Sequence, residues 1–170
     1  CFGVTEPDAG LDTTSITTRA RRDGDTYIVN GRKIWTSTAQ TADHILLVTR
    51  TTPKEAAQRP VDGITVFYTK LDRERIEVRE IAKMARKAVD SNAIFIDDLV
   101  VPAEDRIGEE GDGFRVLLHG LNAERILVAA GALGAAEAAL QKAAHYARER
   151  EVFGRPIGKN QAIQHPLADI

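Results

Sequence analysis

Residues 16–37 read ITTRARRDGDTYIVNGRKIWTS, and this stretch decides the fold of the first half of the chain. Apolar or β-branched residues alternate with charged ones, which is the two-residue period of a half-buried strand. The Asp-Gly-Asp sequence at 23–25 predicts a hairpin turn between two such strands. The Asn-Gly pair at 30–31 predicts a second hairpin turn, because both residue types tolerate a positive φ angle. The stretch therefore predicts consecutive antiparallel strands.

Four further β-like segments follow, separated by turn residues at roughly the spacing of β-sandwiches and β-barrels. They lie at residues 45–49, 63–68, 76–79 and 93–96. The polar stretch 52–62 contains two prolines and predicts an exposed loop. The first hundred residues therefore predict an antiparallel β-barrel or β-sandwich domain.

The pattern changes after residue 112, where apolar residues recur at spacings of three, four and seven. This period predicts one helix over residues 113–150, on the order of 57 Å long at 1.5 Å per residue. A helix of this length needs other helices along its apolar side. The chain offers only the start of a second helix at 161–170, so we expect partners from missing sequence or another subunit. The predicted fold class is α+β, a β-domain followed by long helices.

The composition indicates an ordinary soluble protein with one or two compact domains. The 23 lysines and arginines nearly balance the 25 aspartates and glutamates, giving a formal net charge of −2. This balance excludes binding of nucleic acid or anionic membranes by bulk charge. No uninterrupted apolar run reaches the ~18 residues of a membrane span. Cys1 is the only cysteine, which excludes an internal disulfide framework and favours a reducing, intracellular compartment.

Several kinds of site are not supported by the sequence. The histidines at 44, 119, 145 and 165 are dispersed and form no pair at metal-ligand spacing, so we predict no metal site. Neither a Gly-x-Ser-x-Gly turn nor a Gly-x-Gly-x-x-Gly motif after a strand occurs. The glycine-rich stretch 108–113 carries three acidic residues that would repel a phosphate, so a turn before a helix is the better interpretation.

Three short segments remain as candidates for chemistry. The turn TEPDAG at 5–10 is by spacing alone a plain β-turn. The sequence WTS at 35–37 ends a strand; its Trp is by type a core residue, but Thr36 and Ser37 could donate hydrogen bonds to a ring edge. Glu124 and Arg125 have apolar helical neighbours, so we expect them to be partly buried, as a proton-abstracting carboxylate requires. A buried Glu–Arg contact without catalytic role is an equally supported alternative.

Seven short motifs occur in an order that is typical of one protein family. They are TEPxAG at 5–10, NGxKxW at 30–35, VP at 101–102, GxGF at 111–114, AER at 123–125, RxxFGRPI at 150–157 and QAIQ at 161–164. The set resembles the flavin-dependent acyl-CoA dehydrogenases. The similarity covers essentially the whole chain, and the ordered set is far more specific than any single motif.

The resemblance implies a domain organisation and a cofactor. Residues 1–105 match the middle β-domain, and residues 106–170 match part of the C-terminal domain, where long helices begin a four-helix bundle. The rest of the family's structure would lie outside this chain, which fits a start at Cys1 without methionine or a targeting leader. The family implies FAD as the cofactor and a homo-oligomer, either a dimer or a tetramer.

The resemblance also implies the residues of the site. Thr5 would bond the pyrimidine edge of the flavin, and Ser37 would bond near flavin N5. Leu11 and Val89 stand where relatives often have serine, so we expect an unusual acyl group or rearranged CoA contacts. The implied substrate-binding residues are Leu11, Val89, Asn122 and Arg125. The implied cofactor-binding residues are Phe2, Val4, Thr5, Gly10, Trp35, Thr36 and Ser37, with Arg150, Phe153 and Gln161 holding the FAD of a neighbouring subunit.

The reaction that the resemblance implies is α,β-dehydrogenation of an acyl-CoA thioester. A carboxylate removes the α proton while the β hydride passes to flavin N5. In most relatives this base would fall beyond residue 170, whereas in the isovaleryl and long-chain types it lies on the helix that begins near residue 112. Glu124 matches that second position, and we expect it to be the base, with a glutamate beyond residue 170 as the rival. We expect the 170-residue chain alone to be inactive.

The resemblance implies partners and leaves two alternatives open. An electron-transfer flavoprotein would accept the electrons, in the bacterial cytoplasm or, in a eukaryote, in the mitochondrial matrix. One alternative is an acyl-CoA oxidase or flavin monooxygenase of the same fold, in which reduced flavin reacts with oxygen. The other alternative is a β-sandwich assembly module without catalytic activity.

Overall fold

The computed structural model describes residues 1–170, which divide into two compact units, Cys1–His119 and Gly120–Ile170. The helices are α1 (Gly113–Glu149) and α2 (Gln161–Ala168), and 3-10 turns cover Thr13–Ser15, Lys54–Ala56, Ala103–Asp105 and Ile157–Lys159. The strands are β1 (Phe2–Gly3), β2 (Arg19–Asp23), β3 (Thr26–Ser37), β4 (His44–Arg50), β5 (Ile64–Lys70), β6 (Ile76–Glu80), β7 (Ser91–Pro102), β8 (Arg106–Ile107), β9 (Glu151–Val152) and β10 (Arg155–Pro156).

One eight-stranded sheet builds the first unit. Its strands follow the order β6-β7-β3-β2-β4-β5-β8, and β1 pairs with β4. Most neighbours are antiparallel, while the short pairings of β1 and of β2 with β4 are parallel. The predicted α+β class is confirmed, with a mixed sheet in place of a purely antiparallel one.

The core of the first unit lies on the inward face of this sheet. The rings of Tyr27 and Phe67 are 4.8 Å apart at its centre. Burial of these apolar side chains supplies most of the driving force for folding of the unit. The fully buried members of the cluster are Tyr27, Val29, Ala39, Ile45, Leu47, Phe67, Ile94 and Val101.

Of the two predicted hairpin turns, the first is confirmed and the second is wrong. Gly24, with a φ of 60°, joins β2 to β3 as predicted. The Asn30–Gly31 pair lies inside β3, where the pairing with β7 shifts register between Val29 and Gly31. The side chain of Asn30 spans the gap to β7, because its Nδ2 donates to Asp98 Oδ1 at 2.8 Å. The pair is thus a bulge in a long strand.

Gly31 is required at this bulge by a close backbone approach. Its φ is 154°, and a Cβ at this position would lie 2.6 Å from Cα of Thr18. No side chain rotation can relieve a contact with backbone. The Asn-Gly pair therefore does not turn the chain, because Gly31 has a φ that favours glycine and lies against a neighbouring segment. A local sequence pattern indicates neither feature.

Helix α1 confirms the predicted long helix, and most of its surface is exposed. Ile126 is 73%, Leu127 73% and Leu133 72% exposed. An 18-residue window has a mean hydropathy of 1.3, so α1 is long and apolar enough to cross a membrane on length and composition alone. The core helix of a soluble protein passes the same test.

The second unit turns back on α1 through a hairpin. Phe153 and Gly154, with φ angles of 54° and 71°, form the tip between β9 and β10. The N–H of Ile157 donates to the carbonyl of Arg150 at 2.8 Å and closes the base of the hairpin. Helix α2 follows and shares a shallow apolar groove with α1 that is lined by Ala143, Tyr146, Ala147, Ile157, Ile163 and Leu167.

We expect Gly31→Ala to destabilise the first unit by roughly 2–4 kcal/mol, because both the φ angle and the Thr18 backbone oppose a Cβ. Gly24→Ala is the matched control, since Gly24 also has a positive φ but open space around its Cα. The control should lose only about 1 kcal/mol. Urea unfolding of both variants measures the difference; equal losses would contradict a steric role for Thr18.

Candidate functional site

The end of strand β3 presents an unusual surface in the first unit. Trp35 has a φ of 62°, and its side chain is 57% exposed. A positive φ is an outlier for so bulky a residue. The pairing with β7 shifts register between Lys33 and Thr36, so the ladder is interrupted at Trp35. Ser37, two residues on, is exposed as well. We call Trp35, Thr36 and Ser37 the strand-end segment.

The turn of residues 4–10 lies directly against this strand. The N–H of Ile34 donates to the carbonyl of Thr5 at 2.9 Å. Glu6 and Ala9 exchange two backbone hydrogen bonds of 3.1 Å each, which close the turn. The structure therefore places Val4 and Thr5, both half-buried, beside the strand-end segment. Phe2 precedes them in β1, paired with Leu46.

A buried ion pair fixes the turn to the strand. Lys33 Nζ donates to Glu6 Oε1 at 2.9 Å and to the carbonyl of Val4 at 3.0 Å. The side chains of Lys33 and Glu6 are 0% and 3% exposed. The Glu6 carboxylate also accepts hydrogen bonds from Thr17 N, at 2.6 Å, and Thr18 N, at 2.9 Å. Thr17 and Thr18 thus bond the Glu6 carboxylate, and β2 begins at Arg19, later than the alternation predicts.

The ion pair shifts the pKa values of both partners. Burial raises the pKa of Glu6, but the Lys33 ammonium and the hydrogen bonds to the carboxylate outweigh it, so the pKa falls from 4.5 to about 2. Burial lowers the pKa of Lys33, and the Glu6 carboxylate offsets this only in part. For Glu6, the hydrogen bonds and the Lys33 charge outweigh burial because several donors surround the carboxylate. For Lys33, burial outweighs its partners because the ammonium has only two acceptors. Both groups stay charged at neutral pH.

A second polar cluster lies on the carboxyl side of the strand-end segment, at residues that no sequence motif indicates. Asn92 is fully buried, and its Nδ2 donates to the carbonyl of Thr36 at 2.9 Å. Gln40 Nε2 donates to Asn92 Oδ1 at 2.9 Å. Asp90 accepts a hydrogen bond from Asn92 Nδ2, which lowers the pKa of its carboxyl. Glu6, Lys33, Gln40, Asp90 and Asn92 are polar residues of the site to which the sequence analysis assigns no role.

Thr36 differs from its sequence-based expectation. Its side chain is 1% exposed, and its hydroxyl is buried without a hydrogen-bond partner. Thr36 pairs with the buried Asn92 in the β3–β7 ladder, so both side chains lie on the inward face. Its hydroxyl therefore does not reach a ring on the surface, and only Ser37 offers an exposed hydroxyl there.

Three further predicted positions lie on exposed loops of the first unit. Gly10 ends the turn of residues 4–10, and Leu11, which follows it, is fully exposed. Val89 is 39% exposed in the loop between β6 and β7. An exposed leucine and valine offer apolar contact where a serine would offer a hydroxyl.

Glu124 and Arg125 are exposed on α1, so the expectation that they are partly buried is wrong for this chain. Glu124 and Arg125 line an open groove of about 440 Å³ together with their apolar neighbours on the helix, which no other element covers. These neighbours are Leu121, Val128, Ala129 and Ala132. Arg125 Nη1 donates to Asn122 Oδ1 at 3.2 Å, so the alternative of a Glu–Arg contact is not seen either.

The remaining predicted cofactor residues lie on one continuous stretch of the second unit. Arg150 stands at the base of the β9–β10 hairpin, Phe153 at its tip and Gln161 at the start of α2. All three are exposed, and Phe153 completely so. A fully exposed aromatic ring at a hairpin tip suits contact with another molecule.

Comparison with known families identifies the two halves of the chain. The family model "Acyl-CoA dehydrogenase, middle domain" matches residues 1–99. The model "Acyl-CoA dehydrogenase, C-terminal domain" matches residues 111–170. The chain belongs to the acyl-CoA dehydrogenase family. Helix α1 thus corresponds to the start of the family's C-terminal domain.

Individual members of the family are similar to this chain in sequence and in structure. The chain is 36% identical to cyclohex-1-ene-1-carbonyl-CoA dehydrogenase of Syntrophus aciditrophicus, covering 99% of this chain and 40% of that protein. An acyl-CoA dehydrogenase from Geobacillus kaustophilus has a TM-score of 0.89 at 36% identity, over 99% and 44% of the two chains. A glutaryl-CoA dehydrogenase from Mycobacterium smegmatis, solved with FADH2, has a TM-score of 0.85 at 34% identity, over 99% and 42%. The chain spans about two fifths of the length of these relatives.

Members of the family carry FAD, and the strand-end segment fits the chemistry of a flavin ring. An isoalloxazine ring needs a flat apolar contact and hydrogen-bonding groups at its edge. The exposed indole of Trp35 supplies the first, and the exposed hydroxyl of Ser37 supplies the second. No group of three or more histidine, cysteine, aspartate or glutamate side chains is placed to hold a metal ion.

We expect Glu6→Gln to destabilise the first unit by roughly 3 kcal/mol, because it leaves the buried Lys33 ammonium without a counter-charge. Asp8→Asn is the matched control. Asp8 lies in the same turn and pairs with Arg32 at 3.4 Å on the exposed surface, where ion pairs contribute little. Urea unfolding at pH 7 measures both. A loss as small as that of the control would contradict the role of the ion pair.

The Glu6 variant should also change the acid dependence of stability. Because the folded-state pKa of Glu6 lies below its ordinary value, the carboxylate stabilises the fold above pH 4.5. This stabilisation is lost as pH falls from 4.5 to about 2. The difference in unfolding free energy between the parent chain and Glu6→Gln should shrink over that window. A difference that stays constant with pH would show that the carboxylate is not held charged.

Proposed function

We propose that this chain is the middle domain, residues 1–105, and the beginning of the C-terminal domain, residues 106–170, of an FAD-dependent acyl-CoA dehydrogenase. The reaction is α,β-dehydrogenation of an acyl-CoA thioester. The observation that carries the proposal is the strand-end segment with the turn of residues 4–10 beside it, on a chain that belongs to this family. An exposed tryptophan in a strained backbone conformation is maintained there by buried polar contacts, which suits a ligand-binding surface.

The first unit would contact the flavin through two adjacent segments. Trp35 would pack against the ring, and the Ser37 hydroxyl would bond near N5. Thr5 would bond the pyrimidine edge, from a turn that the Glu6–Lys33 ion pair holds in place. Phe2, Val4 and Gly10 would complete this side, and Thr36 would contribute through its backbone, since its hydroxyl is buried.

The chemical step would divide between the cofactor and one carboxylate. Bound FAD supplies a two-electron acceptor for the hydride that leaves the β carbon. Glu124 would remove the α proton of the acyl group, and a protein environment closed to water around it would favour that transfer. Asn122 and Arg125, one turn apart and hydrogen-bonded to each other, would lie near the thioester. Leu11 and Val89 would contact the carrier side of the substrate through apolar surface.

The second unit would complete the cofactor site of a neighbouring subunit. Arg150, Phe153 and Gln161 lie exposed on one hairpin and the helix that follows, so they are available to a molecule outside their own unit. This arrangement requires a homo-oligomer, a dimer or a tetramer. The electrons would leave through an electron-transfer flavoprotein, in the bacterial cytoplasm or the mitochondrial matrix.

The proposal is tested on the full-length protein that contains this chain. Purified protein should carry FAD, and an acyl-CoA added without oxygen should bleach the flavin absorbance as the α,β-unsaturated product forms. The 170-residue chain alone should show no turnover. A full-length protein without flavin would favour a non-catalytic assembly module and contradict the proposal. Stoichiometric hydrogen peroxide during aerobic turnover would favour an oxidase instead.

Glu124→Gln in the full-length protein should slow flavin reduction by substrate about 10²–10⁴-fold, the usual contribution of a general base. Glu137→Gln is the matched control, because Glu137 lies on the same helix and contacts only Gln141, at 3.4 Å. Stopped-flow absorbance measures both rates. Near-normal reduction by the Glu124 variant would eliminate Glu124 and favour a glutamate beyond residue 170.

A further inference from the structure

Asn92 occupies a buried position directly behind the strand-end segment. It faces Thr36 in the β3–β7 ladder, with Ser91 facing Ser37 beside it. The side chain of Asn92 is 0% exposed. Burial of an amide costs free energy because the group loses its hydration. A buried amide is tolerated only where its donors and acceptor are satisfied within the protein.

Every part of the Asn92 amide has such a partner. Its Nδ2 donates to the carbonyl of Thr36 at 2.9 Å and to Asp90 Oδ2 at 2.5 Å. Its Oδ1 accepts from Gln40 Nε2 at 2.9 Å, and Gln40 N donates to Asp90 Oδ2 at 3.3 Å. The cluster therefore links the start of β7 to both the last residues of β3 and the turn that follows them.

This contact falls where the β3–β7 ladder resumes after its register shift. The register shift removes ladder pairing around Trp35, and Trp35 takes a φ of 62°. A backbone in that conformation persists only when its surroundings fix it. On the amino side of Trp35, Lys33 and Ile34 are bonded to the turn of residues 4–10. On the carboxyl side, the Asn92 amide is the side chain that bonds the peptide between Thr36 and Ser37.

We propose that Asn92 is the positioning residue for this surface. By holding the Thr36 carbonyl, it keeps the Trp35 indole and the Ser37 hydroxyl turned outward before any ligand binds. The identity of that ligand as a flavin rests on the proposed function, whereas the positioning itself does not. Gln40 assists by fixing the orientation of the amide.

The sole tryptophan of the chain makes the inference measurable without a cofactor. Time-resolved fluorescence anisotropy reports how freely the Trp35 indole and its segment move on the nanosecond scale. Asn92→Leu keeps a similar side-chain volume and removes the hydrogen bonds. Gln40→Ala removes one bond of the cluster at an exposed residue, so it leaves the core intact. Thr49→Val is the control, since Thr49 is equally buried and bonds Thr65 at 3.2 Å in the same sheet.

The amplitude of the fast anisotropy component of Trp35 should increase about twofold in Asn92→Leu, because the segment gains nanosecond motion. Gln40→Ala should show a smaller increase in the same direction. Thr49→Val should leave the anisotropy unchanged even where it lowers the melting temperature. Far-ultraviolet circular dichroism, recorded at the same temperature, verifies that each variant is folded.

Two results would overturn the positioning role. One is an unchanged fast component in a folded Asn92→Leu; should that variant not fold, an unchanged component in Gln40→Ala has the same meaning. The other is an equal increase in Thr49→Val, which would assign the effect to general loss of stability. In the full-length protein, mobile Trp35 should be accompanied by weaker FAD binding. A full-length protein that binds no FAD overturns the proposed function while the anisotropy still decides the role of Asn92.

Discussion

A lysine side chain that is buried in a protein core needs a counter-charge beside it, and Lys33 has one in Glu6. An isolated ammonium in a low-dielectric interior costs several kcal/mol (roughly, after relaxation), so the strand can form only with a carboxylate beside it. Glu6 supplies that carboxylate from a turn 27 positions earlier in the chain. The same carboxylate binds the backbone of Thr17 and Thr18. One ion pair thus joins three chain segments.

The proposed flavin surface follows from that constraint. Because Lys33 fixes the turn of residues 4–10, Thr5 lies beside the end of β3, and its carbonyl accepts the N–H of Ile34. Asn92 fixes the other side through the Thr36 carbonyl. Trp35 stands between these two supports and can hold a positive φ because both of its neighbours are fixed. A surface for a planar ligand is therefore built from buried polar groups that never touch the ligand.

Sequence reasoning succeeded where the determinant is local and failed where it is distant. The short apolar segments of β4 to β7, the turn at Gly24 and the period of α1 are properties of neighbouring residues, and the sequence predicts all three. The Asn30–Gly31 bulge depends on Thr18 and Asp98, which only the folded sheet brings near. Asn92 escaped notice for the same reason, since no spacing links it to Thr36. The motifs point to the proposed site, but the residues that support it come together only in the folded sheet.

The two units differ in how completely each one forms the site proposed for it. In the first, the groups that orient Thr5, Trp35 and Ser37 all lie within Cys1–His119. In the second, Glu124 and its apolar neighbours on α1 are uncovered. A carboxylate in contact with water is hydrated, and removal of an α proton demands a base that meets substrate in a site closed to water. The proposed role of Glu124 as a base therefore needs surroundings that Gly120–Ile170 does not supply, whereas the surface proposed to face the flavin ring is formed within Cys1–His119.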